Sequence, residues 1–66
     1  MKLTLNGEPH DHAGVGTIPA LAAEIGAELE RVAVMVNGDI VPRRDFAALR
    51  LSEGDTVEII TFAGGG

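Results

Sequence analysis

Apolar and polar residues alternate at the start of the chain. In Lys2-Leu3-Thr4-Leu5 both leucines fall on one side of an extended segment. Asn6-Gly7 follows and predicts a hairpin, because the tight two-residue turn needs positive φ at both positions. A weaker strand is expected over Glu8 to His12, confined to a sheet edge by Pro9, which has no amide to donate. Ala13-Gly14-Val15-Gly16 reads as a loop. The period then changes. Thr17 can cap a helix through its hydroxyl, and Pro19 costs nothing in the first turn. Ile18, Leu21, Ala22 and Ile25 form one helical stripe, and Gly26 suits the helix end. So short a helix has no independent stability and must pack on a sheet.

Val32-Ala33-Val34-Met35-Val36 is β-branched and too short for a helix, so it predicts a strand. Asn37-Gly38 turns it into Asp39-Ile40-Val41, which Pro42 ends. Arg43 to Leu49 reads as loop with a single helical turn, Glu53-Gly54-Asp55 as a turn, and Thr56 to Phe62 as a strong last strand. Hairpin, helix, hairpin and strand give an α+β plan, one helix across one face of a small mixed sheet. The expected organisation is one domain over 1–62 and a flexible glycine tail over 63–66. The expected core is Leu3, Leu5, Ile18, Leu21, Ile25, Val34, Val36, Val57 and Ile59, with Leu51 at its edge.

Alternation in the last strand sends Val57, Ile59 and Thr61 to one side and Glu58, Ile60 and Phe62 to the other. The helix covers only one face. Ile60 and Phe62, with Met35 and Ala33 on the neighbouring strand, are therefore expected to form an apolar patch on the open face, a candidate partner interface. The competing reading is that loops cover them, or that they are unremarkable exposed apolar residues.

Composition narrows the function. The chain has 66 residues and no cysteine, so thiolate metal sites, disulfides and a cysteine nucleophile are excluded. Its net charge of -5, with no Trp or Tyr, argues against a nucleic-acid partner, which needs basic side chains and stacking rings. It suits a protein partner with a basic surface. No signal peptide and no apolar run long enough to span a bilayer are evident, so no membrane association and a cytoplasmic location are expected. Arg43, Arg44 and Arg50 read as a solvated stretch rather than an anion site. His10 and His12 share a strand face but lack further ligands, so they read as solvated edge-strand histidines and no metal site is expected. Asp45, Glu53 and Asp55 suit turns better than paired-carboxylate catalysis.

Ala63-Gly64-Gly65-Gly66 ends the chain on residues with no side chain beyond methyl. One reading is a frayed end. The other is a slender tail, free of Cβ hindrance, that threads a narrow channel and sets the Gly66 carboxylate beside another protein's nucleotide.

The element order resembles the β-grasp, or ubiquitin-like, fold, in which the first and last strands are parallel neighbours. The length, the Asn37-Gly38-Asp39-Ile40-Val41-Pro42-Arg43 run with Phe46 beyond it, Gly54-Asp55, and the Phe62-Ala63-Gly64-Gly65-Gly66 ending together resemble the ThiS family of thiamin-biosynthesis sulfur carriers. That resemblance implies a carrier, not an enzyme, with no bound cofactor. A ThiF-type adenylyltransferase would use ATP to activate the Gly66 carboxylate, with Gly64 and Gly65 threading its site. Sulfur drawn through a cysteine desulfurase would give a thiocarboxylate, and a ThiG-type thiazole synthase would accept it. A MoaD-like molybdopterin synthase subunit and a non-covalent ubiquitin-like binding module are the alternatives.

Overall fold

The computed structural model describes residues 1–62. Within them, strands β1 (Lys2–Leu5), β2 (Glu8–Asp11), β3 (Val32–Val36), β4 (Asp39–Ile40) and β5 (Thr56–Thr61) form a sheet ordered β2-β1-β5-β3-β4. The first and last strands are parallel, and every other neighbouring pair is antiparallel. Helix α1 (Ile18–Ile25) lies in the connection that makes the parallel pairing possible. This is the expected α+β, β-grasp arrangement. The tail expected at 63–66 lies outside the described residues. Among the described residues no helix is long and apolar enough to cross a membrane.

Both Asn-Gly turns form. Asn6 and Gly7 have φ of 50° and 83°, and Asn37 and Gly38 have 51° and 87°, the left-handed values a two-residue hairpin requires. The asparagines also hold the central strand. The Asn6 Oδ1 accepts the Ile59 amide at 2.9 Å where β1 has ended, and the Asn37 Oδ1 accepts the Thr56 amide at 2.9 Å where β3 has ended. Each side chain thus replaces a missing ladder partner of β5. The helix is capped as expected: Thr17 Oγ1 accepts from the Ala20 amide, and Gly26 closes the other end at φ 73°.

The core departs from the expected list in particular places. Leu3, Leu5, Ile18, Leu21, Val34, Leu51, Val57 and Ile59 are buried as expected. Val36 is only partly buried against them. Ile25 is 38% exposed, because the last turn of α1 reaches the rim beside Pro9 and His10, where a groove stays open. Val32, Val41 and Phe46 are buried instead. The arginine stretch is also not simply solvated. Arg43 donates to the carbonyls of Leu29, Glu30 and Val32, with its guanidinium 6.0 Å from the Phe46 ring centre. Arg50 donates to the Val15 carbonyl at 3.2 Å. Only Arg44 remains without a structural contact of this kind among the described residues.

Candidate functional site

Register decides what the open face presents. Antiparallel pairing sets Ala33 opposite Ile60 and Met35 opposite Glu58, while β4 sets Ile40 opposite Met35. Residues directly opposite share a face. Val57 and Ile59 are buried under the helix, so their alternates in β5 point away from it. Ile60 is 49% exposed and Phe62 58% exposed. Ala33, opposite Ile60, and Met35, opposite Glu58, are half-buried on the same face. The four residues expected to form the patch are therefore brought together. Sequence reasoning missed Ile40, the most exposed member at 74%. The Asn37-Gly38 turn carried the signal: a two-residue loop pairs Val36 with Asp39 and so Met35 with Ile40.

The patch ends at the chain's exit from the sheet. Beyond β5 the Phe62 amide still donates to the Arg31 carbonyl, at 2.8 Å, so the register holds to the last described residue. Gly64, Gly65 and Gly66, the residues expected to thread and react, lie outside the described residues.

The histidine pair differs from expectation. His12 is 2% exposed, not solvated. Its Nε2 accepts the Gly16 amide at 3.0 Å, so that nitrogen carries no proton; Nδ1 carries it and donates to Glu24 Oε1 at 3.1 Å. His10 Nε2 reaches the same oxygen at 2.6 Å, and the Ala13 amide donates to Oε2 at 2.8 Å. The cluster pins the glycine loop and the edge strand to α1. A Cβ on Gly14 would stand 2.7 Å from the His12 ring, which explains glycine there. Among the described residues no group of three or more ligating side chains is arranged to hold a metal ion. Asp55 accepts from the Asn37 side-chain amide and the Ser52 amide, and Glu53 from the Lys2 amide, so both serve turns.

The hydrogen bond from His10, then the Ala13 amide and His12, lower the Glu24 pKa from 4.5 to about 2. A carboxylate with a depressed folded-state pKa stabilises the fold above its unfolded value and loses that contribution as pH falls through the folded one. Glu24→Gln is therefore expected to be less stable than wild type at pH 6. The gap in urea midpoint should close as pH falls from 4.5 toward 2. A gap independent of pH would show that Glu24 is not the titrating group.

Relatives fit this geometry. The family model described as "ThiS family" matches residues 3–66. The crystal structure of the thiamine biosynthesis protein ThiS from Geobacter metallireducens superposes with a TM-score of 0.81 at 36% identity, covering 100% of both chains. A thiazole synthase of Paramagnetospirillum magneticum is 41% identical over 66 residues, and the chain spans only 20% of that relative's length. The uncharacterized protein ycf40 of Porphyra purpurea is 32% identical, with 93% of it covered.

Proposed function

The chain belongs to the ThiS family, and from that premise we propose that it carries sulfur for thiazole formation on the carboxylate of Gly66. A carboxylate is a poor electrophile, since its charge is delocalised and its leaving group would be oxide. A ThiF-type adenylyltransferase solves this with ATP: the Gly66 carboxylate attacks the α-phosphorus, pyrophosphate leaves, and the acyl carbon now bears AMP. A cysteine persulfide from a desulfurase attacks that carbon and AMP departs. A thiol then attacks the cysteine sulfur of that acyl disulfide, forming a new disulfide with it and releasing the thiocarboxylate. The magnesium and basic groups that such phosphate chemistry requires belong to the partner. The carrier supplies a docking face and a slim terminus and is a co-substrate, not the catalyst.

The observation that carries this reading is the match over residues 3–66 to a family of small carriers. The apolar patch at the exit of β5 supports it, because a partner seated there is beside the residues that follow Phe62. Relatives named thiazole synthase contain a segment like this chain. A segment covalently joined in one protein corresponds to a docked one in another, which supports a ThiG-type synthase as the sulfur acceptor. Intact mass after incubation with the adenylyltransferase, ATP and a sulfur source tests the proposal. One oxygen-to-sulfur exchange localised to Gly66 is expected; no exchange, or exchange elsewhere, refutes it.

The patch makes its own prediction. Phe62→Asp is expected to weaken binding to the adenylyltransferase about tenfold or more, since an unpaired charge buried at an apolar contact costs over ~1.4 kcal/mol. Val15→Asp, on the glycine loop and 69% exposed, is expected to bind normally. Equal binding by both variants would remove the open face from the interface.

A further inference from the structure

The apolar patch has one charged member that the proposed chemistry does not use. Glu58 stands in the middle of β5, on the open face, opposite Met35 and two residues before Ile60. It is exposed, and among the described residues it makes no ion pair and no side-chain hydrogen bond. Of the cations that strand alternation puts on this face, Arg31 lies across from Phe62 and pairs with Glu28, and Lys2 lies at the far end of the sheet, where its carbonyl accepts from Gly54. With Thr4 opposite Thr56, Lys2 and Glu58 each lie two residues from that pair in opposite directions, an offset of roughly 13 Å along the strands. No ion pair joins either cation to Glu58 among the described residues, which leaves the carboxylate without a partner charge. Glutamate is also a poor strand former, and nothing in the sheet requires it here.

Resting on the sulfur-carrier reading, we infer that Glu58 is a specificity contact, and that the open face receives a protein surface bearing an arginine or lysine within an apolar area. Seating an apolar partner over Met35, Ile40 and Ile60 strips water from the Glu58 carboxylate. Without a cation that desolvation opposes docking; with one, the pair is formed at low dielectric. A purely apolar partner is thereby rejected and a basic-centred one selected. The net charge of -5 works in the same direction, drawing a basic surface toward this chain before contact.

The test is the binding kinetics of the whole carrier with purified ThiF-type adenylyltransferase at low and high salt. Glu58→Gln is expected to weaken binding about tenfold and Glu58→Lys further, the loss being that of a buried hydrogen-bonded charge. Both should flatten the salt dependence of association. Glu8→Gln makes the same charge change but lies opposite Leu5, on the helix side, and is expected to bind within about twofold of wild type. Wild-type binding by Glu58→Lys, or an equal loss with Glu8→Gln, overturns the inference while leaving sulfur loading of Gly66 standing. If wild-type carrier neither binds nor gains sulfur, the carrier reading falls and this inference with it.

Discussion

A form of the protein extended by one alanine after Gly66 is expected to gain no sulfur, although it folds and docks normally. The extension leaves a carboxylate in place, but moves it by one residue, about 3.5 Å of extended chain. The proposed attack on the α-phosphorus would need reacting atoms about 3–3.5 Å apart and aligned, and a misplacement of 1 Å can cost on the order of 100-fold. The displacement here is larger, and the new residue brings a Cβ where glycine has none. Loss of at least ~100-fold in thiocarboxylate formation is therefore expected, with a thermal transition matching wild type. The fold has no reason to respond, because β5 ends at Thr61 and the last described ladder contact is the Phe62 amide on the Arg31 carbonyl. Intact mass reads the modification and circular dichroism reads the fold. Normal sulfur gain by the extended protein would mean that the reacting carboxylate need not be that of Gly66, and the placement of the chemistry there would fall.

Local rules made much of the fold legible, and long-range ones hid the rest. The Asn-Gly pairs announced both hairpins because positive φ at two successive positions is a local demand. Thr17, Pro19 and Gly26 bounded the helix for the same reason. Alternation in β5 separated Val57 and Ile59 from Ile60 and Phe62, and the observed burial follows it. Period and propensity say nothing about residues that enter the core from loops. Val41 and Phe46 are of that kind, buried after β4 has ended. His12 is buried because Glu24, one helix away, and the Gly16 amide satisfy both ring nitrogens. No pattern around His10 and His12 reveals a carboxylate twelve residues on, and a histidine counted by sequence neighbours alone looks solvated. Arg43 was hidden likewise: its partners are carbonyls of the turn between α1 and β3 and of the first residue of β3. The candidate patch was legible because it follows from strand alternation and hairpin register, which are both short-range.

Phe46→Ala is expected to bring the domain to the edge of unfolding. Phe46 is 6% exposed and belongs to the main core cluster. Truncating a buried phenylalanine to alanine costs about 3–5 kcal/mol through lost transfer energy and the cavity left behind. A chain of this length has a total stability of roughly 3–10 kcal/mol, so the loss is a large share of the whole. A fall in Tm of about 12 °C or more is expected, taking about 4 °C per kcal/mol for a small domain. The consequence reaches the open face of the sheet by a traceable route. Phe46 supports the Arg43 guanidinium, which lies 6.0 Å from the centre of its ring. Arg43 in turn holds the carbonyls of Leu29, Glu30 and Val32, fixing the 3-10 turn Leu29–Arg31 that leads into β3. The Arg31 carbonyl of that turn accepts the Phe62 amide. Loosening Phe46 therefore loosens the base from which the chain leaves the sheet. Hydrogen exchange at Phe62 should rise in the variant beyond what global destabilisation accounts for, whereas exchange at Leu3 in β1 should track global stability alone. Phe46→Leu, which refills most of the volume, is expected to restore the Phe62 protection along with most of the Tm. If Phe46→Ala melts within a few degrees of wild type, the ring is not the support that its burial and its place beneath Arg43 imply.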